Sequence, residues 1–292
     1  MHSGDATIVH PPQKVYMATE HKIIQIMNSL ARHLQITGPF NIQFLVKDNK
    51  VYVIELNARA SRTFPFISKV TGVNFADFIV ASFYGKSKPR LLPYVEHVAV
   101  KSPQFSFSRL SGADPVLRVE MWSTGEVACF GKDLESALLL SVMASTGLNV
   151  EKRAALLSLG GSLNKERFLE TAKELSGAGF TLYATKSTHA FLKENSVVSE
   201  LVYKVYEGQT PSVVDLIQEK KVAFVINLSD SVKKSEEKRK KYVTDGYLIR
   251  RSSVDCNIPL FTDLQLSKVF VNALTTYALQ DLEIKSWKEY LN

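Results

Sequence analysis

From Arg153 onward the chain alternates short apolar runs with helical stretches of about a dozen residues, and this alternation limits the possible folds more than any other feature. The runs are Ala154 to Leu157, Phe180 to Ala184, Leu201 to Val205, Val222 to Asn227 and Ile258 to Thr262. Strands that are apolar along their whole length suit a parallel sheet covered on both faces, so an open α/β sheet is expected. In such sheets ligands bind beyond the carboxyl ends of the strands. There the second run passes into Thr185-Lys186-Ser187-Thr188, which offers hydroxyls and the start of a helix to an anion. Lys165 opens the helix after the first strand, Lys204 ends the third and Asn227 ends the fourth. Helix capping is the competing reading for Thr185 and Thr188, and capping does not exclude binding.

The part before Gly147 has a different pattern. Ile23, Ile24, Met27, Leu30, Ala31 and Leu34 recur at helical spacing, which predicts a helix over 19–35 ended by Thr37-Gly38-Pro39. Asn41 to Val46 and Val51 to Asn57 read as two strands of a hairpin. A short helix is expected over Asn74 to Gly85, a loop over Ser87-Lys88-Pro89-Arg90, strands near 96–101, 116–121 and 126–130, and a helix from Asp133 to Thr146. A domain boundary is placed at 148–152, giving domains 1–149 and 150–292.

The stretch YVIELNARASRTFPF, Tyr52 to Phe66, starts as a buried strand and then sets an acid, an amide and two guanidiniums close together. Burying such groups unpaired costs several kcal/mol, so they are expected to face something polar. With a two-residue turn Gln43 would pair with Ile54. With a three-residue turn at Asp48-Asn49-Lys50 it sits opposite Glu55, and Ile42, Phe44, Val46, Tyr52, Ile54 and Leu56 share one apolar face. The second register is preferred because it keeps that stripe continuous. Its other face presents Gln43, Glu55 and Asn57: one carboxylate and two amide oxygens, hard ligands suited to Mg²⁺ or Mn²⁺. Arg59 and Arg62 follow, able to grip phosphoryl oxygens. Metal ligands plus phosphate-binding cations are the parts phosphoryl transfer needs. A merely solvated strand face is the competing reading.

Composition narrows the classes further. Hydrophobic residues at 45% and charged residues at 22% fit a globular chain. The formal charge of +7 suits anionic partners, yet no basic segment interleaved with aromatics points to nucleic acid. The basic run Lys233 to Lys241 reads most simply as a solvated loop, with attraction of phosphate as the alternative. No apolar run approaches the roughly 18 residues of a membrane span, and no signal or transit pattern opens the sequence. Cys129 and Cys256 fit no metal or redox spacing.

Glu55-Leu56-Asn57-Ala58-Arg59-Ala60-Ser61-Arg62-Thr63, with Phe64-Pro65-Phe66 and Ser68-Lys69 after it, resembles the end of the second ATP-grasp domain of the carbamoyl phosphate synthetase large subunit. His2-Ser3-Gly4-Asp5, Gln43, Ala113-Asp114-Pro115 and Glu120 to Val127 are similar to the same domain, and residues from about 153 resemble the methylglyoxal-synthase-like regulatory domain that ends that subunit. The resemblance implies an incomplete ATP-grasp lobe of α+β type with an antiparallel sheet, followed by an open parallel α/β domain. It implies that Gln43, Glu55 and Asn57 bind the metal ions of MgATP, that His2 and Ser3 contact the nucleotide together with Gln43 and Glu55, and that Arg59 and Arg62 stabilise the phosphate and carbamate ends of the reaction. By the same resemblance, Lys165, Thr185, Thr188, Lys204 and Asn227 hold a phosphorylated or carboxylated effector. The expected activity is phosphorylation of carbamate to carbamoyl phosphate with ATP as substrate, in the cytoplasm or the mitochondrial matrix.

The sequence departs from the family in places. Ala58 stands where many relatives have proline, and Ser102 where ornithine-responsive members have glutamate. Leu228-Ser229-Asp230-Ser231 lacks the carboxylate and His-Asp cluster of true methylglyoxal synthases, so catalysis in that domain is not expected. A first ATP-grasp lobe is not among the 292 residues, and the chain alone is expected not to turn over. Its partners would be the N-terminal part of the synthetase and a glutaminase subunit or domain. Glutamine against ammonia as nitrogen donor, and arginine or urea supply against pyrimidine synthesis, stay open. The alternative reading is a non-catalytic effector-binding module with a vestigial lobe.

Overall fold

The computed structural model describes residues 2–86, 92–230 and 245–291. The expected loop Ser87 to Arg90 and the basic run Lys233 to Lys241 lie outside the described residues. The chain forms two compact units, each assembled from separated segments. A hairpin unit comprises Thr7–Lys101, Ala128–Asp133 and Ile284–Asn292; a parallel-sheet unit comprises Met1–Ala6, Ser102–Val127 and Leu134–Glu283. The expected boundary at 148–152 falls inside the last of these segments.

In the hairpin unit β1 (Ile8–His10) is followed by α1 (Met17–His33), β2 (Asn41–Lys47), β3 (Lys50–Asn57), α2 (Thr63–Thr71) and α3 (Phe75–Phe83). Helix α1 half-buries Ile23, Ile26, Met27, Leu30 and Ala31, the i, i+3, i+4, i+7 face its sequence spells, and packs on β3. Helix α2 was not among the elements expected from the sequence; its Pro65 is in the first turn, where a missing N–H costs nothing. Asn74 caps α3 by accepting from the Ala76 amide at 3.0 Å. Strand β1 pairs antiparallel with β4 (Val98–Phe105), Ile8 opposite Lys101, and the sheet order is β1-β4-β5, where β5 is Ser123–Gly131. Phe66, Val70, Ala99 and Phe130 form the unit's core, with Ile8, Ile67 and Tyr290 packed around it. The expected strand at 116–121 is irregular; its chain neighbour, the loop 107–115, is held by side chains described below.

The hairpin corrects the expected turn and keeps the expected pair. Lys47 faces Lys50 across a two-residue turn in which Asp48 and Asn49 have φ of 50° and 58°, the double left-handed geometry of a type I′ turn. Between Gln43 and Phe44 the register then shifts, leaving Ile54 as the extra residue of a bulge, and Gln43 lies opposite Glu55. Tyr52 therefore faces the Gln43–Glu55 side, opposite Leu45, and Val53 takes its place opposite Phe44. The continuous stripe inferred from alternation is thus interrupted, and Val46, Tyr52 and Ile54 are exposed.

The parallel-sheet unit runs α4 (Leu134–Thr146), β6 (Ala154–Leu159), α5 (Ser162–Gly177), β7 (Thr181–Thr185), α6 (Lys186–Glu194), β8 (Glu200–Val202), α7 (Val213–Gln218), β9 (Phe224–Leu228), α8 (Asp245–Asp255), β10 (Leu260–Phe261) and α9 (Leu264–Thr276). All five expected strands are present, all pairings are parallel, and the order is β10-β9-β6-β7-β8. Leu156 and Val225 pack with Val213, Leu216, Ile217 and Ile249 on one face. On the other, Phe224 meets Phe270 edge-on at 5.1 Å, and Phe168 is wholly buried. Helices thus cover both faces, as the apolar strands require. The chain leaves β6 toward β7 and returns to β9 on its other side, so the direction of winding switches between β6 and β9.

Candidate functional site

Two polar clusters stand out, one in each unit. In the hairpin unit Gln43, Glu55 and Asn57 share the face fixed by the bulge. Asn57 Nδ2 donates to Glu55 Oε1 at 3.2 Å. That bond uses the amide's nitrogen and one carboxylate lone pair, so Asn57 Oδ1 and Glu55 Oε2 are left as acceptors beside the Gln43 carboxamide. The donor set fits a hard divalent cation that keeps water or phosphate in its remaining positions. Among the described residues no group of three His, Cys, Asp or Glu side chains forms an alternative metal centre.

Past β3 the chain turns through Arg59, exposed and donating to the Ala60 carbonyl at 3.1 Å, and Arg62, exposed at the start of α2. Between them Ser61 holds its hydroxyl buried with no hydrogen-bond partner among the described residues. Ser61 lines a groove of about 580 Å³ with Phe64, Ser68, Lys69, Phe75 and Trp287. Nothing in the sequence marks Ser61 beyond its place between Arg59 and Arg62.

His2 and Ser3 belong to the parallel-sheet unit. His2 is half-buried, and its Nδ1 accepts from the Gly4 amide at 3.0 Å, capping a short 3₁₀ turn over Ser3–Asp5. Asp5 anchors that turn: its buried carboxylate accepts from the Trp122 amide at 2.9 Å and the Ser123 amide at 2.8 Å, and Ser123 Oγ donates to the Gly4 carbonyl at 3.0 Å.

The second cluster lies along the carboxyl rim of the parallel sheet. Thr185 stands at the N-cap of α6, yet its hydroxyl makes no cap. It meets the Thr188 hydroxyl at 3.3 Å, and Thr188 Oγ1 accepts from the Leu159 amide at 3.0 Å. Both are buried, so the hydroxyls join β7 to the end of β6, and the competing reading of Thr185 as a side-chain cap does not hold. After β6 the chain turns at Gly160-Gly161, where a side chain has no room. A Cβ on Gly160 would lie 2.8 Å from the Asp230 amide, and one on Gly161, at φ +77°, would lie 3.0 Å from the Asp230 carboxylate. Asn164 stitches the same corner, donating to the Gly160 and Ser229 carbonyls at 2.8 and 3.1 Å. Lys165 is half-buried in the first turn of α5, and Lys204 Nζ lies 3.7 Å from the Asp245 carboxylate.

Asn227, at the end of β9, is 3% exposed, and its Oδ1 accepts from Arg250 Nη1 at 3.0 Å. Arg250 is itself 5% exposed and makes a two-pronged pair with Asp114, at 2.8 and 2.7 Å. The next residue, Arg251, donates to the carbonyls of Phe107, Leu110 and Ala113 at 3.1, 3.1 and 3.0 Å. Its guanidinium also bonds Asp255 and holds that carboxyl below its ordinary pKa. Two adjacent arginines of α8 therefore fix the loop 107–115. Neither could be chosen from sequence, because charged residues on a helix usually face solvent.

Two family models match the chain: the carbamoyl-phosphate synthase L chain, ATP binding domain, over residues 1–83, and the MGS-like domain over residues 167–262. Seven of the residues expected to serve nucleotide, metal or phosphate fall within the first match. Four of the five rim residues fall within the second; Lys165 lies two positions before it. The chain thus joins a segment of an ATP-binding domain to an MGS-like α/β domain. The human mitochondrial carbamoyl-phosphate synthase [ammonia] is 41% identical over 94% of this chain and 18% of its own length. The multifunctional protein pyr-3 of Neurospora crassa is 42% identical over 97% of this chain and 16% of its own, and URA2 of Saccharomyces cerevisiae 40% over 94% and 13%. The chain is thus similar over nearly its whole length to carbamoyl-phosphate synthases and multifunctional proteins, and spans less than a fifth of the length of these relatives. A methylglyoxal synthase of Elizabethkingia anophelis matches 48% of this chain and 91% of its own at 17% identity, with a TM-score of 0.34, too slight a likeness to add to the family match.

Proposed function

We propose that the chain is the C-terminal portion of a carbamoyl phosphate synthetase, contributing metal and phosphate ligands to MgATP-dependent phosphorylation of carbamate and carrying the domain that regulates it. The observation that supports this most is the bulged register placing Gln43 opposite Glu55, with Asn57 bonded to the same carboxylate. Gln43, Glu55 and Asn57 would hold Mg²⁺ or Mn²⁺, which would supply positive charge to offset that of the phosphates. His2 and Ser3 would touch the nucleotide, and Arg59 and Arg62 would orient the transferring phosphoryl group and the carbamate. Lys165, Thr185, Thr188, Lys204 and Asn227 would receive a small anionic effector. The functional division would fall at 149/150. The rest of the synthetase and a glutaminase subunit or domain are the partners, and the cytoplasm or mitochondrial matrix the location.

Calorimetric titration with ATP, with and without Mg²⁺, tests the reading. Metal-dependent binding that disappears in Glu55→Ala is expected, with no steady-state carbamoyl phosphate formation by the chain alone. Binding of anionic effectors without any metal-linked nucleotide affinity would favour a purely regulatory module instead.

A further inference from the structure

A guanidinium carries donors and no acceptor, so the Asn227 atom facing Arg250 must be its carbonyl oxygen. The amide is thereby oriented: with Oδ1 engaged by Arg250, Asn227 has Nδ2–H₂ to offer as a donor. Arg250 is held in turn by both oxygens of Asp114, a geometry that fixes a guanidinium in plane as well as position. Gly246 leaves the space this needs. A Cβ there would lie 2.9 Å from Arg250 Nη1 and 3.8 Å from Asn227 Oδ1.

We propose that Arg250, clamped by Asp114, is a positioning residue that makes Asn227 a hydrogen-bond donor for an anion on the sheet rim and ties that anion's binding to the loop 107–115. The proposal rests on the anion-site reading above and adds how the site is oriented and which segment it informs. Without Asp114 the guanidinium can swing, the carboxamide can flip, and its oxygen would then repel the ligand. Since Arg251 fastens the same loop through three backbone carbonyls, an ordered Arg250 and an ordered loop favour one another.

The test is a titration of the chain with inorganic phosphate and, in a parallel arm, glutarate, following the Asn227 side-chain NH₂ resonances by ¹⁵N–¹H NMR and assigning them by their loss in Asn227→Asp. The arm that binds more tightly distinguishes a phosphorylated from a carboxylated effector. Asp114→Asn and, as a variant that leaves the ion pair's charges in place, Gly246→Ala should each weaken the preferred anion about tenfold and abolish the ligand-induced NH₂ shift. If Lys165→Ala weakens binding while Asp114→Asn and Gly246→Ala leave both affinity and the NH₂ shift unchanged, the positioning role is wrong and the anion site stands. If neither anion saturates, or Lys165→Ala changes nothing, the anion site falls and the positioning role with it.

Discussion

Replacing Asp5 by asparagine changes one atom of a buried anchor and exposes what the His2-Ser3-Gly4-Asp5 motif does in the fold. The carboxylate accepts from Ser123 N at 2.8 Å through Oδ1 and from Trp122 N at 2.9 Å through Oδ2. In Asp5→Asn one acceptor becomes an NH₂, which meets a backbone N–H donor to donor whichever way the amide turns. The lost charge-assisted bond is worth about 1.5–3 kcal/mol and the stranded amide about 1–3 more. Relief from burying a charge offsets part of this, leaving a net cost of about 2 kcal/mol. That corresponds to a roughly 30-fold larger open population of the Ser3–Asp5 turn and the start of β5. Hydrogen exchange at the Trp122 and Ser123 amides reads it directly. Protection in Asp5→Asn within about twofold of the wild-type value would show that these contacts do not hold the segment.

Three further outcomes are expected. Thr188→Val removes the acceptor for the buried Leu159 amide and should lower the urea stability of the parallel-sheet unit by about 1–3 kcal/mol, with a smaller loss for Thr188→Ser. Gly161→Ala forces a side chain into a left-handed conformation at φ +77° and against Asp230, and should destabilise the same unit by at least about 1 kcal/mol in the same assay. Burial lowers the pKa of His10 and of His97, and the positive charge of His97 lowers His10 further; hydrogen bonds from His97 to the backbone of Val70 and Tyr290 partly oppose its own shift. Between these lowered values and the ordinary 6.5 the unfolded chain binds more protons than the folded one. The hairpin unit should therefore hold its stability above pH 6.5 and lose it as the pH falls, and His97→Phe should flatten the profile seen by thermal melting.

The parallel-sheet unit was largely legible because its signal is redundant: five apolar runs, each followed by a helix, specify strands whatever their exact ends. The hairpin was harder. Alternation alone cannot show a bulge, since one extra residue flips the pattern and a longer turn flips it equally. Asp48-Asn49, two residues that tolerate left-handed backbone, carried the turn signal, and the apolar stripe outweighed it. The Gln43–Glu55 pair was still placed correctly, because it follows from either route. Arg250 and Arg251, and the pairing of Arg250 with Asp114, escaped notice because these roles arise from contacts more than 130 residues apart in sequence. Thr185 was read as a possible cap because position suggests it; the structure turns the hydroxyl toward Thr188 instead.

Manganese can replace magnesium and broadens the NMR signals of nuclei close to it. With Mn²⁺–ATP added at substoichiometric levels, the side-chain amide resonances of Gln43 and Asn57 should vanish first in the wild-type chain and persist in Glu55→Gln. Equal broadening in the two proteins, or none at Gln43 and Asn57, would contradict the assignment of that face to a nucleotide-bound metal.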